Sequence, residues 1–257
     1  MEKSQSKSSL FLILVIWGIY LGDSMPLEKV DSQEACNKKF QNPEALGNYT
    51  EGDMILPIGF WNARNGILDP KYRWTRGVVP YVIEKQFLTN KELATIYNAF
   101  EEYEKWTCVR FKLRTTEEDY ISIVKSNEVC SSYVGRKGGR QEVKLKSECL
   151  TKIGTPIHEL MHALGFFHEH SRPDRDLYVR INSAIAKGLP WKNFEKIGLP
   201  WATTFGEEYD YTSVMHYDSY TLIALRDTFD AKKMGQRDGF SPADVRKINA
   251  MYNCKVK

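Results

Sequence analysis

Four of the five histidines in this 257-residue sequence lie within thirteen consecutive positions. On a helix, the four-residue spacing of His158 and His162 places both imidazoles on one face, within reach of one metal ion, while Glu159 turns to the side. Gly165 permits a left-handed turn at the end of that helix, after which the chain can bring His168 back to the same ion. Three histidine ligands with an open fourth position are typical of a catalytic zinc site.

Other residues near the histidines have separate explanations. A lone His-Glu-x-x-His pattern also arises by chance in helices that bind no metal, but the added glycine and third histidine favour zinc ligation. His170 lacks ligand spacing and is expected at the surface or behind the ligands. In SVMHYD, Met215 is expected in a turn beneath the metal rather than as simple core filling, and His216 needs no metal role. Phe166 and Phe167 are expected in the core.

The segments that must position these residues predict an α/β or α+β lobe. Apolar patterns indicate strands at residues 78–84, 109–113 and 120–124. Thr89 and Glu92 form a capping box before an amphipathic helix. At residues 142–146, apolar and charged residues alternate, which predicts an edge strand that either resists aggregation or holds an extended substrate. After residue 176 the chain is expected to be mostly irregular until Ser241 caps a terminal helix.

The N-terminus predicts a secretory signal peptide over residues 1–24. Lysines precede a run of about twelve apolar residues, which is short for a membrane anchor of roughly twenty, and small residues allow cleavage after Ser24. Secretion permits disulfides, and the odd count of five cysteines is explained if Cys36 lies in a removable pro-segment, residues 25–64. The net charge of +3 is spread without a basic block, which argues against a nucleic-acid partner.

Together, HELMHALGFFHEHSRPDRD and SVMHYD resemble the astacin family of secreted zinc endopeptidases, which are metzincins. Stretches such as TRGVVPYVI and CSSYVGRKGGRQEVKL extend the resemblance across the expected peptidase domain, residues 65–257. The resemblance implies an α+β fold with two lobes around a cleft: a twisted mixed sheet with helices, then a mostly irregular C-terminal lobe with a terminal helix. It also implies that Glu159 carries the proton and that Tyr217 is a further zinc ligand that can swing to the reacting centre.

The family's disulfide pairing would use the four cysteines outside the pro-segment. Four cysteines alone allow three connectivities, and the resemblance implies the pairs Cys108–Cys254 and Cys130–Cys149. The first pair would tie the N-terminal lobe to the last helix. The one N-glycosylation triplet begins at Asn48, within the predicted pro-segment.

The resemblance also implies an inactive precursor. Asp53, in a Gly-Asp pair, would occupy the open position of the zinc ion, although Thr50 replaces the aromatic residue of the family motif and an ordinary turn is the alternative. Activation would be a cut after Arg64 by a protease of trypsin-like specificity. The new amino group, on Asn65, would then be buried against Glu169.

The expected protein is a secreted, monomeric endopeptidase with one zinc ion, protein or peptide substrates, and neither nucleic-acid nor membrane partners. An inactive binding protein on the same scaffold is the main alternative, but such a chain is expected to lose Glu159 or a ligand. A structural zinc protein would leave no open coordination position. The resemblance also implies a preference for an acidic substrate residue just after the cut, which Arg226, Lys232 or Lys233 could bind; alternatively, these three side chains could simply be solvated.

Overall fold

The computed structural model describes residues 42–56, 67, 69–85, 88–187, 189–196 and 203–255. All of these residues belong to one structural unit, Ser32–Lys257. The predicted signal peptide, Cys36, and the predicted cleavage junction of Arg64 and Asn65 lie outside the described residues. None of the helices in the described ranges is both long and apolar enough to cross a bilayer.

Within these ranges, the main sheet has six strands in the order β1-β5-β6-β4-β2-β3. The strands are β1 Met54–Ile55, β2 Val78–Ile83, β3 Arg110–Leu113, β4 Tyr120–Lys125, β5 Ser131–Tyr133 and β6 Arg140–Leu145. Every neighbouring pair is parallel except β5 and β6, which run antiparallel. The strands predicted at residues 78–84, 109–113 and 120–124 are confirmed as β2, β3 and β4.

The prediction of an edge strand at residues 142–146 is wrong. The corresponding strand, β6, lies inside the sheet, between β4 and β5. Val143 and Leu145 are buried, whereas Glu142 on the other face accepts a hydrogen bond from the Arg140 guanidinium at 2.6 Å. The alternation of apolar and charged residues shows that one face of the sheet is polar, and an interior strand can have a polar face just as an edge strand can. The short strands β5 and β1 form this side of the sheet.

The first long helix, α1, spans Asn90–Trp106. Its predicted capping box is confirmed, because the Thr89 hydroxyl accepts from the backbone N–H of Glu92 and the Glu92 carboxylate accepts from the N–H of Thr89. The buried Tyr103 hydroxyl donates to the carbonyl of Ile157 at 2.8 Å. This bond ties α1 to the helix that carries the first two histidines of the cluster.

The other helices are α2 Gly154–Leu164, α3 Ser183–Ala186 and α4 Pro242–Met251. Short 3-10 helices occur at Pro43–Leu46, Pro70–Tyr72, Thr75–Gly77, Ser147–Leu150, Glu169–Ser171, Arg175–Leu177, Trp191–Phe194 and Ala231–Lys233. The C-terminal half is mostly irregular, with a two-stranded antiparallel sheet of β7 Val179–Ile181 and β8 Leu222–Ala224. The fold is α+β, as predicted.

The core has a main cluster and two smaller ones. The main cluster joins the sheet, α1 and α2, and includes Phe166, whereas Phe167 lies in a small cluster with Met54 and Ile67. A further cluster, which includes Tyr217, lies under the C-terminal half. The structure contains the disulfides Cys108–Cys254 and Cys130–Cys149, the two pairs that the family resemblance implies.

Candidate metal centre and active site

Helix α2 carries the first two predicted ligands and is buried along its whole length. Gly165 ends the helix at φ 109°, a left-handed conformation that favours glycine, and its N–H donates to the carbonyl of His162 at 2.8 Å. At the other end, a Cβ on Gly154 would lie 2.3 Å from the carbonyl carbon of Arg237, so only glycine fits. The helix is therefore held in close contact with the C-terminal half of the chain.

The three predicted histidine ligands converge with Asp53. The Nε2 atom of His158 lies 3.1 Å from Nε2 of His162 and 3.2 Å from Nε2 of His168. Asp53 Oδ2 lies 3.1 Å from His158 Nε2 and 3.3 Å from His168 Nε2, and Oδ1 lies 3.6 Å from His162 Nε2. All four side chains are fully buried. The predicted set is thus brought to one point in the structure.

The other ring nitrogen of each histidine is already engaged. Each Nδ1 lies 2.7 Å from an oxygen: the Val214 carbonyl for His158, the Phe166 carbonyl for His162 and the Glu51 carboxylate for His168. Carbonyl and carboxylate oxygens only accept, so each Nδ1 carries a proton and each Nε2 is the ring nitrogen left to ligate a metal. Hydrogen bonds of this kind fix the ring orientation of metal ligands.

The arrangement fits a zinc ion. Three nitrogen lone pairs and a carboxylate face one another, and Asp53 Oδ1 has no hydrogen-bond partner among the described residues. Burial alone would lower the pKa of His168, yet the charge of Asp53 and hydrogen bonds to Asp53 and Glu51 raise it to about 9. These acceptors therefore favour a positive charge at their centre. Three imidazole nitrogens and one carboxylate oxygen are a tetrahedral donor set suited to zinc.

Glu159 lies beside this cluster without a partner. Neither carboxylate oxygen is hydrogen-bonded within the part of the chain that the structure describes, and the side chain is fully buried. Burial, and then the charge of Asp53, raise the pKa of Glu159 well above its usual range. A carboxyl group whose pKa is raised in this way can carry a proton at neutral pH, as general acid–base catalysis requires.

Tyr217 is held by the segment that carries Asp53. Its buried hydroxyl donates a short hydrogen bond to the backbone carbonyl of Glu51, and its ring lies 5.0 Å from the His168 ring. Burial, and then the charges of Asp53 and Glu51, raise the pKa of the Tyr217 hydroxyl well above its usual value. The expected role of Tyr217 as a metal ligand stays a prediction, because its hydroxyl is engaged by Glu51 here.

The predicted methionine turn is anchored by α4. Asp244 Oδ2 accepts from the N–H of Val214 at 2.8 Å, and Asp244 Oδ1 accepts from the Ser213 hydroxyl at 2.6 Å. Met215 is buried, and its carbonyl accepts from the N–H of Glu169 at 2.9 Å. The turn also supplies the carbonyl that orients His158. The turn therefore supports the metal cluster from the C-terminal half.

Glu169 is fully satisfied by donors that the sequence reasoning missed. Its Oε2 accepts from the Lys247 ammonium at 2.6 Å, and its Oε1 accepts from the Arg172 guanidinium at 2.9 Å and the Asp210 N–H at 3.0 Å. Burial would raise the pKa of Glu169, but the charges of Lys247 and Arg172 lower it. Lys247 had no local signal, since a lysine on a terminal helix ordinarily faces water.

The remaining two histidines have other partners. His170 is fully buried, so the surface alternative was wrong; its Nε2 donates to the Asn193 carbonyl at 3.0 Å, and its ring lies 4.0 Å from the Tyr217 ring. His216 has both ring nitrogens engaged, one 2.7 Å from the Tyr209 hydroxyl and the other 2.6 Å from the Tyr217 carbonyl. His170 therefore belongs to the wall behind the ligands, as the other prediction had it.

A sharp turn in the N-terminal segment, residues 42–56, inserts Asp53 into the cluster. Gly52 has φ 89°, and a Cβ there would lie 2.7 Å from the carbonyl oxygen of Glu44. Glu51 precedes it at φ 49°, and its carboxylate accepts from the Ser171 hydroxyl at 2.6 Å as well as from His168. Position 50 contributes to the turn through its backbone, because the Thr50 N–H donates to the carbonyl of Met54. This hydrogen bond does not require an aromatic side chain at position 50.

A second buried contact of the N-terminal segment involves Arg237. Glu44 Oε1 accepts from Arg237 Nε at 2.7 Å and lies 2.5 Å from Nη2, and both side chains are almost completely buried. The two residues are 193 positions apart, so no sequence spacing could have indicated the pair. Arg237 also lowers the pKa of Glu159, although burial dominates there. Arg237 is therefore a buried cation close to the candidate catalytic carboxylate.

The cations that were candidates for substrate recognition lie elsewhere. Arg226 stacks on the Tyr178 ring at 4.6 Å, Lys232 lies 3.5 Å from Asp227, and Lys233 lies over the ring of an exposed phenylalanine. All three are at least partly solvated. Asn48, the predicted glycosylation site, is exposed.

Comparison with known proteins assigns the family. The model of the astacin peptidase family matches residues 66–253. Zinc metalloproteinase nas-8 of Steinernema carpocapsae is 44% identical over 200 residues, covering 74% of this chain and 47% of the relative. Zinc metalloproteinase nas-4 of Caenorhabditis elegans is 40% identical over 233 residues, covering 84% of this chain and 72% of the relative. The chain therefore belongs to the astacin family.

A solved structure supports the same assignment. High choriolytic enzyme 1, a hatching enzyme zinc-protease from the medaka fish Oryzias latipes, is 37% identical, with a TM-score of 0.64, and the match covers 74% of this chain and all of that one. This chain spans about half the length of several curated relatives that it matches. Family membership is thus shared, whereas those longer relatives contain further sequence.

Proposed function

We propose that this protein is a secreted zinc endopeptidase that is made as an inactive precursor and hydrolyses internal peptide bonds of proteins. The observation that carries the proposal is the buried set of three histidine Nε2 atoms, closed by a carboxylate from the N-terminal segment. Three protein ligands with a removable fourth ligand are what a catalytic zinc site requires. The unpartnered Glu159 beside it supplies the proton carrier.

The chemistry follows from the positions of these residues. His158, His162 and His168 would hold a zinc ion, which would supply polarisation of the scissile carbonyl and acidification of a water molecule. Glu159 accepts a proton from that water and then donates it to the leaving amine. Once Glu51 has left, the Tyr217 hydroxyl is free to ligate the metal or to donate a hydrogen bond to the developing oxyanion.

The side of β5 that β1 covers in this structure is the proposed binding edge for the substrate backbone. In the structure, the N–H of Ser132 donates to the Asp53 carbonyl at 3.0 Å and the N–H of Val134 donates to the Ile55 carbonyl at 3.1 Å. Departure of the N-terminal segment exposes these donors, and an extended peptide can then add to the sheet edge. Backbone recognition of this kind suits an enzyme that cuts within chains of varied sequence.

We further propose that the N-terminal segment belongs to a pro-segment, residues 25–64, that blocks the site until a trypsin-like protease cuts after Arg64. Asp53 would occupy the position of the catalytic water, and the new amino group on Asn65 would pair with Glu169. Two disulfides agree with an oxidising compartment and hence with a signal peptide over residues 1–24. The exposed Asn48 would be glycosylated during secretion. We expect a monomer.

Arg237 is proposed to bind an acidic side chain of the substrate. Its charge acts on both Glu159 and His158, and the N-terminal segment already satisfies it with a carboxylate, that of Glu44. Removal of the segment would leave a guanidinium whose preferred partner is another carboxylate. Cut-site profiling of a peptide library should therefore show Asp or Glu close to the cleaved bond, and Arg237→Leu should remove that preference.

The direct test is Glu159→Gln in the trypsin-activated protein. The variant should retain one zinc per chain but lose at least about a thousandfold in kcat on an unfolded protein substrate, because the amide of glutamine cannot carry the proton. Glu195→Gln, an exposed glutamate, is the matched control and should remain active. Normal cleavage by Glu159→Gln with normal zinc content would refute the role. An activated wild-type protein that binds zinc and cleaves nothing would instead support the inactive binding protein.

A further inference from the structure

A buried lysine occupies the site that the new N-terminus is proposed to reach. Lys247 and Glu169 are each 1% exposed, and their charged groups are 2.6 Å apart while the N-terminal segment is still in place. With Arg172 and the Asp210 N–H on the other oxygen, both carboxylate oxygens of Glu169 have donors. Glu169 therefore already has a cationic partner in this structure.

The pair lies where it can position the metal ligands. Glu169 directly follows the ligand His168, and its N–H donates to the carbonyl of Met215 at 2.9 Å. The same helix that carries Lys247 also carries Asp244, which holds the N–H of the residue before Met215. One helix, α4, thus fixes both the ligand loop and the methionine turn through side-chain charges.

Displacement of Lys247 by a second ammonium would be costly. Among the described residues, Glu169 is the acceptor that hydrogen-bonds the Lys247 ammonium. Expelling the ammonium from this contact would leave the Lys247 charge buried without a counter-ion. Adding the new amino group without expelling Lys247 would instead give one carboxylate a third charged partner beside Arg172. Either way, the ordered state of Glu169 already exists before cleavage.

We propose that Lys247 is a positioning residue: it supplies the cation that pairs with Glu169 from within the folded domain. Peptidase activity then does not depend on the new N-terminus reaching Glu169. This inference rests on the proposed peptidase function. The precursor is then inactive because the N-terminal segment, residues 42–56, covers the metal cluster, and not because the pocket around Glu169 is unformed. Trimming or extending the mature N-terminus should then be tolerated.

The experiment combines two changes in the full-length precursor. The first inserts about six Gly and Ser residues between Arg64 and Asn65, so that trypsin releases an amino group far from its expected position. The second is Lys247→Met, which keeps the side-chain length and removes the charge; Arg246→Met, an exposed residue of the same helix, is the matched control. For each activated protein, kcat and KM are measured on a fluorogenic peptide, with zinc content and the Tm of precursor and product.

The insertion should change kcat of the wild-type enzyme and of Arg246→Met less than about threefold. Lys247→Met alone should lower kcat less than about fivefold, since the Asn65 ammonium can then pair with Glu169, and its Tm should fall more in the precursor than after activation. Both changes together should lower kcat at least about tenfold beyond the product of the single effects, as expected for groups in one network. A purely structural ion pair would give no such dependence on the N-terminus.

The proposal is overturned if the insertion lowers kcat as strongly in the wild-type enzyme as in Lys247→Met. It is also overturned if Lys247→Met with the insertion is as active as Lys247→Met alone, with zinc and Tm intact. Should Lys247→Met fail to fold, Lys247→Arg with the insertion decides: it retains the cation and must stay as active as the wild-type enzyme with the insertion. Absence of cleavage by the activated wild-type protein would instead refute the proposed function.

Discussion

The buried pair of Glu44 and Arg237 predicts how tightly the N-terminal segment binds to the activated enzyme. The perturbation is Glu44→Gln in a synthetic peptide of residues 42–56, used as an inhibitor. Glu44 Oε1 receives two guanidinium contacts, at 2.7 and 2.5 Å, in a region without solvent. Loss of one charge from a buried, hydrogen-bonded charge pair costs about 2–5 kcal/mol. Glutamine keeps the shape and one acceptor, so we expect the lower part of this range.

At about 1.4 kcal/mol per factor of ten, a loss of about 2 kcal/mol weakens inhibition roughly thirtyfold. The assay is the Ki of each peptide for cleavage of a fluorogenic substrate by the trypsin-activated protein. Asn48→Gln, at an exposed position, is the control and should change Ki less than about threefold. Because the pair is buried, the ratio of the Ki of the Glu44→Gln peptide to the Ki of the parent peptide should be nearly independent of salt concentration. A Glu44→Gln peptide that inhibits within threefold of the parent would refute the reasoning.

Three further predictions concern latency and stability. Asp53→Asn replaces a zinc-binding carboxylate by a weaker neutral ligand, so the uncut precursor should cleave peptides at least about tenfold faster than the wild-type precursor. The hydrogen bond from Lys125 is the main cause that lowers the pKa of Glu92 from 4.5 to about 2. The Glu92 carboxylate therefore stabilises the fold above pH 4.5 and loses that effect as the pH falls towards 2. Glu92→Gln should lower the free energy of unfolding, measured with urea, by about 1–2 kcal/mol at pH 7 and by almost nothing near pH 2. Replacing Cys130 and Cys149 by serine opens a loop with a sequence separation of 19 and should lower the free energy of unfolding by about 3 kcal/mol.

The parts of the site that the sequence predicted are those encoded by short spacings. His158 and His162 are one helical turn apart, and Gly165 has the left-handed φ that the predicted turn requires. The capping box of α1 was likewise predictable from a few neighbouring residues. In each case a fixed geometry of the backbone converts sequence distance into spatial distance.

The supports of the site were not predictable because they join distant segments. Lys247 meets Glu169 across 78 positions, and Arg237 meets Glu44 across 193. A buried lysine has the same local pattern as a solvated one, and only the tertiary fold removes it from water. The edge-strand prediction failed for a related reason: alternation at residues 142–146 reports which face is polar, not how many neighbouring strands the sheet supplies.

The chain separation of Glu44 and Arg237 has a consequence for biosynthesis. A ribosome adding about 5–20 residues per second makes Arg237 roughly 10–40 s after Glu44, and Lys247 later still. The inhibitory carboxylates are therefore already present in the nascent chain when the last supports of the metal cluster emerge. On the proposed latency, an open and complete site never has to form during synthesis, and the cell that makes this protein would meet it only in its closed state.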